Sequence, residues 1–393
     1  MARFLVIVPP LAGHINPTLA VGAALERRGH EVAWVGHPGA LDARLPASAR
    51  RYELPDAVPA GLLRTMTDRS NKVRGLASLK FLWEDFLVPL ARAMLPQLPA
   101  VLDDYRPDVL LVDQQAVAGA LVARQRGLPW ATSCSTSAGV TAPLAGLPKV
   151  QAWLDEQLAA LVAEAGLPAT PEPDRSPHLV LVYSSRELAA PDQSFPEQIR
   201  FVGPSLGRKG PPVDFPWEAL DPSRPKVLVS LGTVNAERGA RFFAAAAEAL
   251  AAMEVQGILV APEGRVGDLP TNVIRRDFVP QLELLPHLSA VICHGGQNTV
   301  SESLAHGLPL LVAPIRDDQP VIAEQVVAAG CGLRLRFSRS GAAEIREALE
   351  AILSDEGYAA RAAAIGESLK RAGGAEAAAE ALIALDAGAG TRA

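Results

Sequence analysis

The strongest constraint on the fold is a rhythm. Short unbroken runs of Val, Ile and Leu alternate with longer Ala- and Leu-rich stretches of helical spacing, and the series occurs twice. In the first half the runs are Phe4–Val8, Val32–Val35, Val109–Val112 and Leu179–Tyr183; in the second they are Val227–Ser230, Ile258–Val260, Val291–Cys293 and Leu310–Ala313. A strand with one face in water alternates apolar and polar residues. These runs do not, so both faces must be covered, and the intervening helices supply the cover. The pattern predicts parallel α/β architecture in two domains. Between the two series, Gly203 to Pro225 is so rich in proline and glycine that it suits neither a helix nor a central strand, and it reads as a linker. The expected organisation is a first domain over 1–202, a linker over 203–225 and a second domain over 226–374. No sequence repeat relates the halves.

Composition removes several function classes. A chain of 393 residues has room for two domains. With 49% hydrophobic and 20% charged residues it can bury large cores, and a net charge of −6 argues against nucleic acid as a partner. The 32 glycines and 33 prolines are scattered without period, which excludes collagen-like repeats. Cys134, Cys293 and Cys331 are far apart, so neither a disulfide scaffold nor a zinc module is expected. The opening MARFLVIVPPLAGH lacks a small-residue cleavage site and reads as a buried first strand. The charge-free stretch Gly127 to Pro148 is full of Ser, Thr, Gly and Pro, unlike a membrane span. A soluble cytoplasmic protein without stable membrane insertion is expected.

In open parallel sheets, ligands bind beyond the carboxyl ends of the strands. In the second half, strand Ala290–Cys293 is followed by His294-Gly295-Gly296-Gln297-Asn298-Thr299 and a helical run from Val300 to Ala305. Two glycines let the backbone approach a ligand closely, and the free N–H groups of the helix start favour an anion. A phosphate pocket is expected there. Neither GxGxxG nor GxxxxGK[ST] is present, which weakens the case for a dinucleotide oxidoreductase or a P-loop NTPase. Glu302 lies one helical turn beyond Asn298 on the same face, where its carboxylate suits the diol of a ribose attached to that phosphate. Its alternative role is to complement the helix dipole. Ser230-Leu231-Gly232-Thr233 ends the domain's first strand, and Asp318-Gln319 follows the strand ending near Ala313.

In the first half, His14 follows strand Phe4–Val8, just before a helix whose first position suits Pro17. An imidazole at a strand end can deprotonate a hydroxyl near neutral pH. Asp113 ends the run Val109–Val112 in the same sheet-edge position, where it would fix the imidazole tautomer. Its alternative is to cap the helix beginning near Ala116. His30 reads as a structural helix-terminus residue, and His37, His178, His287 and His306 as surface or capping groups.

These residues carry a family resemblance. Phe278-Val279-Pro280-Gln281, then His294-Gly295-Gly296-Gln297-Asn298-Thr299-Val300-Ser301-Glu302, Gly307-Leu308-Pro309 and Pro314-Ile315-Arg316-Asp317-Asp318-Gln319 resemble the donor signature of family-1 nucleotide-sugar glycosyltransferases of the two-domain GT-B fold. The local text is also similar to bacterial zeaxanthin glucosyltransferases and to macrolide and polyketide glycosyltransferases. The resemblance implies two Rossmann-like domains facing a cleft, with the stretch 375–393 crossing back to the first domain. It implies a UDP-sugar as co-substrate, glucose by the hint of Gln319, and no metal or other cofactor. Phe278, where most relatives have tryptophan, would stack on the uracil, the Val279 main chain would read its edge, and Gln281 would face the nucleotide. His294, Gly296, Asn298, Thr299 and the Ser230, Gly232 and Thr233 turn would hold the diphosphate. Glu302 would take the ribose hydroxyls, which favours UDP over thymidine-diphosphate donors, and Asp318 with Gln319 would bind the sugar. His14 and Asp113 match the catalytic dyad.

The implied reaction is inverting transfer of a sugar to a hydroxyl of a large apolar acceptor, a macrolide, another polyketide or a carotenoid. Leu11 and the helical stripe with Phe81, Trp83 and Phe86 are the acceptor-pocket candidates; such a stripe is more often ordinary core, but the resemblance implies that this region lines the acceptor pocket. Two other classes stay open: a GT-B nucleotide-sugar epimerase, which needs no acceptor pocket, and a non-catalytic auxiliary protein, against which His14 and Asp113 argue. Oligomeric state is not legible.

Overall fold

The computed structural model describes residues 1–58, 75–141, 144–207, 213–232 and 239–390. The chain divides into two compact units. The first comprises Met1–Ser184, Asp192–Gly210 and Ala372–Ala393; the second comprises Ser185–Pro191 and Pro211–Arg371. The division differs from a simple linker over 203–225. Residues up to Gly210 stay with the first unit, and the short stretch Ser185–Pro191 leaves it, because Leu188 is buried in the second unit's core.

The first unit is built on a seven-stranded sheet in the order β3-β2-β1-β4-β5-β6-β7. Its strands are β1 (Arg3–Ile7), β2 (Glu31–Gly36), β3 (Arg50–Glu53), β4 (Val109–Asp113), β5 (Trp130–Cys134), β6 (Leu179–Val182) and β7 (Ile199–Phe201), all paired in parallel. Alternation along a strand explains the unbroken apolar runs. Leu5 and Ile7 of β1 enter one core with Leu110 and Val112, while Phe4 and Val6 enter the opposite core with Val109 and Leu111. Helix α1 (Ala12–Arg27) covers the second core and α2 (Val117–Arg126) the first. Gly119 lets α2 lie close to the sheet: a Cβ there would stand 2.7 Å from Val112 Cγ1.

The terminal helix Gly374–Gly390 belongs to this first unit. It buries Ala378, Ala379 and Leu382 in the core behind β1, and Glu376 pairs with Arg27 and Arg28 at the end of α1.

The second unit has a six-stranded parallel sheet in the order β10-β9-β8-β11-β12-β13. The strands are β8 (Lys226–Ser230), β9 (Gln256–Val260), β10 (Val273–Arg276), β11 (Ala290–Cys293), β12 (Leu310–Val312) and β13 (Gly332–Arg334). Helices α3 (Gln297–Ala305) and α4 (Gln319–Ala328) follow β11 and β12.

Both sheets reverse strand order at one point, between β1 and β4 and between β8 and β11. A crevice opens at the carboxyl ends where connections leave in opposite directions. The sequence therefore delivers His14 and Asp113 to one crevice, and Ser230 and His294 to the other.

Candidate active site

The first crevice is built around His14. The double proline Pro9-Pro10 ends β1, Leu11 is extended, and α1 starts at Ala12, earlier than a helix beginning at Pro17 would. His14 therefore sits in the first helical turn, its N–H bonded to the Leu11 carbonyl at 3.0 Å. Pro17 lies within the helix, where it has no N–H to offer the carbonyl four residues back.

His14 Nδ1 lies 2.8 Å from Asp113 Oδ1. Asp113 is 1% exposed, and the same oxygen accepts the Gln115 N–H at 2.9 Å, which fixes the carboxylate. It caps no helix: α2 begins at Val117 without a side-chain cap. A buried carboxylate against Nδ1 favours the tautomer with the proton on that nitrogen, so the basic lone pair is on Nε2.

Sequence reasoning missed Ser135. Its hydroxyl oxygen also lies 2.8 Å from His14 Nδ1, and Gln114 Nε2 approaches it at 3.4 Å. Ser135 follows β5, and β5 adjoins β4 with Ser133 opposite Asp113. That register carries Ser135 to the dyad; a serine after a polar strand has no signal of its own.

The acceptor candidates separate. Leu11 is half-buried beside the core and adjacent in the chain to the turn bearing His14. Phe86, 1% exposed, and Trp83 pack within the hydrophobic core, and Phe81 is buried as well. The stripe thus packs as core, the alternative that its helical spacing also allowed. Its helix, 76–94, has a π-helical segment at Leu82–Leu87 just before Pro89. A proline ring displaces the carbonyl four residues back, which is a cause of such local widening.

The second crevice is organised around the His294 ring. Ser230 ends β8, Gly232 adopts a left-handed φ of +71°, and Gly296 is the N-cap of α3. A Cβ on Gly232 would stand 2.7 Å from His294 Cε1, and one on Gly296 would stand 2.6 Å from Nε2. Both glycines are there because the imidazole occupies the space. Burial holds the His294 pKa down at about 4; a hydrogen bond with the Ser230 backbone opposes this and the positive charge of Arg316 adds to it. The ring is thus neutral at physiological pH, a hydrogen-bonding group and not a cation. Asn298 and Thr299 occupy the first turn of α3, partly exposed. Thr233 lies outside the described residues.

Glu302, one turn further, is 3% exposed and its Oε2 accepts a hydrogen bond from Gln281 Nε2 at 2.7 Å. The structure thus joins two residues that the sequence separates by a strand. Val279 packs against the core, while the Phe278 ring is 63% exposed, a large aromatic face open for stacking. Asp318 stands at the start of α4. Gln319 Oε1 accepts the N–H groups of Ile315 at 2.9 Å and Arg316 at 3.1 Å, so its amide nitrogen is the end left to serve a hydroxyl.

Among the described residues no group of three or more His, Cys, Asp and Glu side chains gathers as a metal site would require, and no helix is long and apolar enough to cross a membrane.

Comparison with known proteins gives the chain's relatives. Residues 246–385 match the model of the erythromycin biosynthesis protein CIII-like C-terminal domain. The chain is 31% identical to 4'-demethylrebeccamycin synthase of Lentzea aerocolonigenes, covering 92% of this chain and 94% of that one. It is 31% identical to the NDP-glycosyltransferase YjiC of Bacillus licheniformis, over 98% of this chain and 97% of that one. The crystal structure of the glycotransferase of kitacinnamycin superposes with a TM-score of 0.77 at 27% identity, over 98% of this chain and 99% of that one.

Proposed function

The chain belongs to the family-1 glycosyltransferases of GT-B fold, and we propose that its reaction is inverting transfer of glucose from UDP-glucose to a hydroxyl of a large apolar natural product, a polyketide, macrolide or carotenoid. The observation that carries the chemistry is the 2.8 Å contact between His14 Nδ1 and Asp113. With Nδ1 committed, Nε2 takes the acceptor proton as the acceptor oxygen bonds to the anomeric carbon. The bond from that carbon to the β-phosphate oxygen breaks, and its electron pair leaves with UDP. Attack from the face opposite UDP inverts the configuration, giving a β-glycoside from an α-linked donor. Asp113 stabilises the imidazolium formed in the step.

The donor assignment is supported by the buried Glu302–Gln281 pair. A carboxylate only accepts hydrogen bonds, and a ribose with both hydroxyls offers it two donors; a deoxyribose offers one. Phe278 stacks on the base, the Val279 main chain reads its edge and Gln281 faces the nucleotide. Ser230, Gly232, Thr233, His294, Gly296, Asn298 and Thr299 hold the diphosphate, and Asp318 and Gln319 bind the sugar.

Glu302→Gln tests this reading. It should weaken UDP binding more than dTDP binding, by about tenfold, the scale of the one additional charge-assisted hydrogen bond that the 2′-hydroxyl donates. Equal losses for both nucleotides, or tighter binding of dTDP than UDP by the parent, would contradict it.

A further inference from the structure

The loop between β12 and α4 places Arg316 deep in the second unit. Its side chain is 8% exposed. Asp317 is its ion-pair partner among the described residues, with 3.5 Å between Nε and Oδ2. That contact is long, and no Arg316 guanidinium nitrogen is at once fully buried and without a partner, so the group keeps some access to solvent or to a ligand beside it.

Two contacts tie Arg316 to the anion turn. A Cβ on Gly295 would lie 3.1 Å from the Gln319 carbonyl oxygen, so the His294-Gly295-Gly296 turn is packed directly on the start of α4. The Gln319 side chain in turn holds the Arg316 N–H at 3.1 Å. The loop bearing the cation is thereby strapped to the turn that receives the phosphates. Gln319 cannot release Arg316 without giving up two backbone hydrogen bonds.

We propose that Arg316 is the cation of the diphosphate site, pairing with the phosphate oxygens of the bound donor and of the UDP that leaves. The proposal rests on the donor reading given above and extends it to a residue for which the sequence carried no role. A planar guanidinium matches phosphate oxygens through paired N–H groups, and its long contact with Asp317 leaves its charge to be met by the ligand. Support comes from His294, which is neutral and offers the phosphates only a dipole. The N-terminus of α3 likewise offers only partial charge.

Calorimetric binding of UDP and of uridine to the full chain, to Arg316→Gln and to Arg316→Lys tests it. The expected result is a UDP affinity at least tenfold weaker in Arg316→Gln, a smaller loss in Arg316→Lys, and uridine binding equal in all three. Unchanged UDP binding in Arg316→Gln overturns the proposal alone. Parallel losses of UDP and uridine overturn it too, since they mark a residue that shapes the site instead of pairing with phosphate. If Arg316→Gln fails to fold, Arg316→Lys decides between these outcomes by the same comparison. A parent chain that binds uridine but gains nothing from the diphosphate overturns the donor reading itself.

Discussion

Two contacts of 2.8 Å converge on a single nitrogen of His14, and their unequal character sets what the ring does. Asp113 carries a charge and Ser135 does not, so the carboxylate decides which nitrogen holds the proton, while the hydroxyl adds a second acceptor beside it. His294 shows the opposite use of the same side chain. Its space is cut out by two glycines, and burial takes its pKa from 6.5 to about 4. Below about pH 6.5 the unfolded chain takes up a proton that the folded ring refuses. The stability held by this ring is therefore complete above about pH 6.5 and drains as the pH falls toward 4. The urea midpoint of His294→Gln should accordingly approach that of the parent as the pH is lowered from 7 to 4; a constant difference would show that the ring titrates normally. The strand-end positions of His14, Asp113, Ser230 and His294 were legible from the apolar runs before them. Ser135 was not, because its role depends on β5 lying beside β4, and Arg316 was not, because its burial is a property of the loop and not of its neighbours in sequence.

Among the elements, central strands announce themselves and edges do not. β1, β4, β8 and β11 lie at the switch points with both faces covered, and their Val, Ile and Leu runs were readable. β3, β7, β10 and β13 are sheet edges of three or four residues, with half-exposed and charged side chains. β5 is internal yet reads Trp-Ala-Thr-Ser-Cys, and its polar residues hid it. The turns are set with finer tolerance than the strands. Gly296 begins α3 at φ −66°, which any residue can adopt, so a substitution there acts through space and not through backbone strain. Gly296→Ala should push the His294 ring from its place and cost UDP affinity by tenfold or more, with helical content unchanged; calorimetry and circular dichroism check both halves, and unchanged UDP binding would show that the ring's position does not matter.

At the scale of the whole molecule, the two parallel sheets were legible from one recurring rhythm, whereas the boundary between the units was not. Glycine and proline located the connection near Gly203, and the resemblance already implied that 375–393 returns to the first domain, where Leu382 is buried, but the structure also moves Ser185–Pro191 into the second unit through Leu188. Burial against distant residues decides that move, and spacing along the chain does not report it. Each unit brings its own crevice: one holds an imidazole fixed against a buried carboxylate, the other a neutral histidine, a buried carboxylate and an open aromatic ring. Family membership and these two crevices together yield the central claim, inverting sugar transfer with His14 as base. Its most direct test is to incubate the parent and His14→Ala with UDP-glucose and a panel of macrolide, polyketide, carotenoid and flavonoid acceptors, and to determine the anomeric configuration of any product by NMR. The expected result is a β-glucoside from the parent and a rate about 10²- to 10⁴-fold lower in His14→Ala, with UDP binding retained. An α-glucoside, or undiminished turnover without the imidazole, would contradict it.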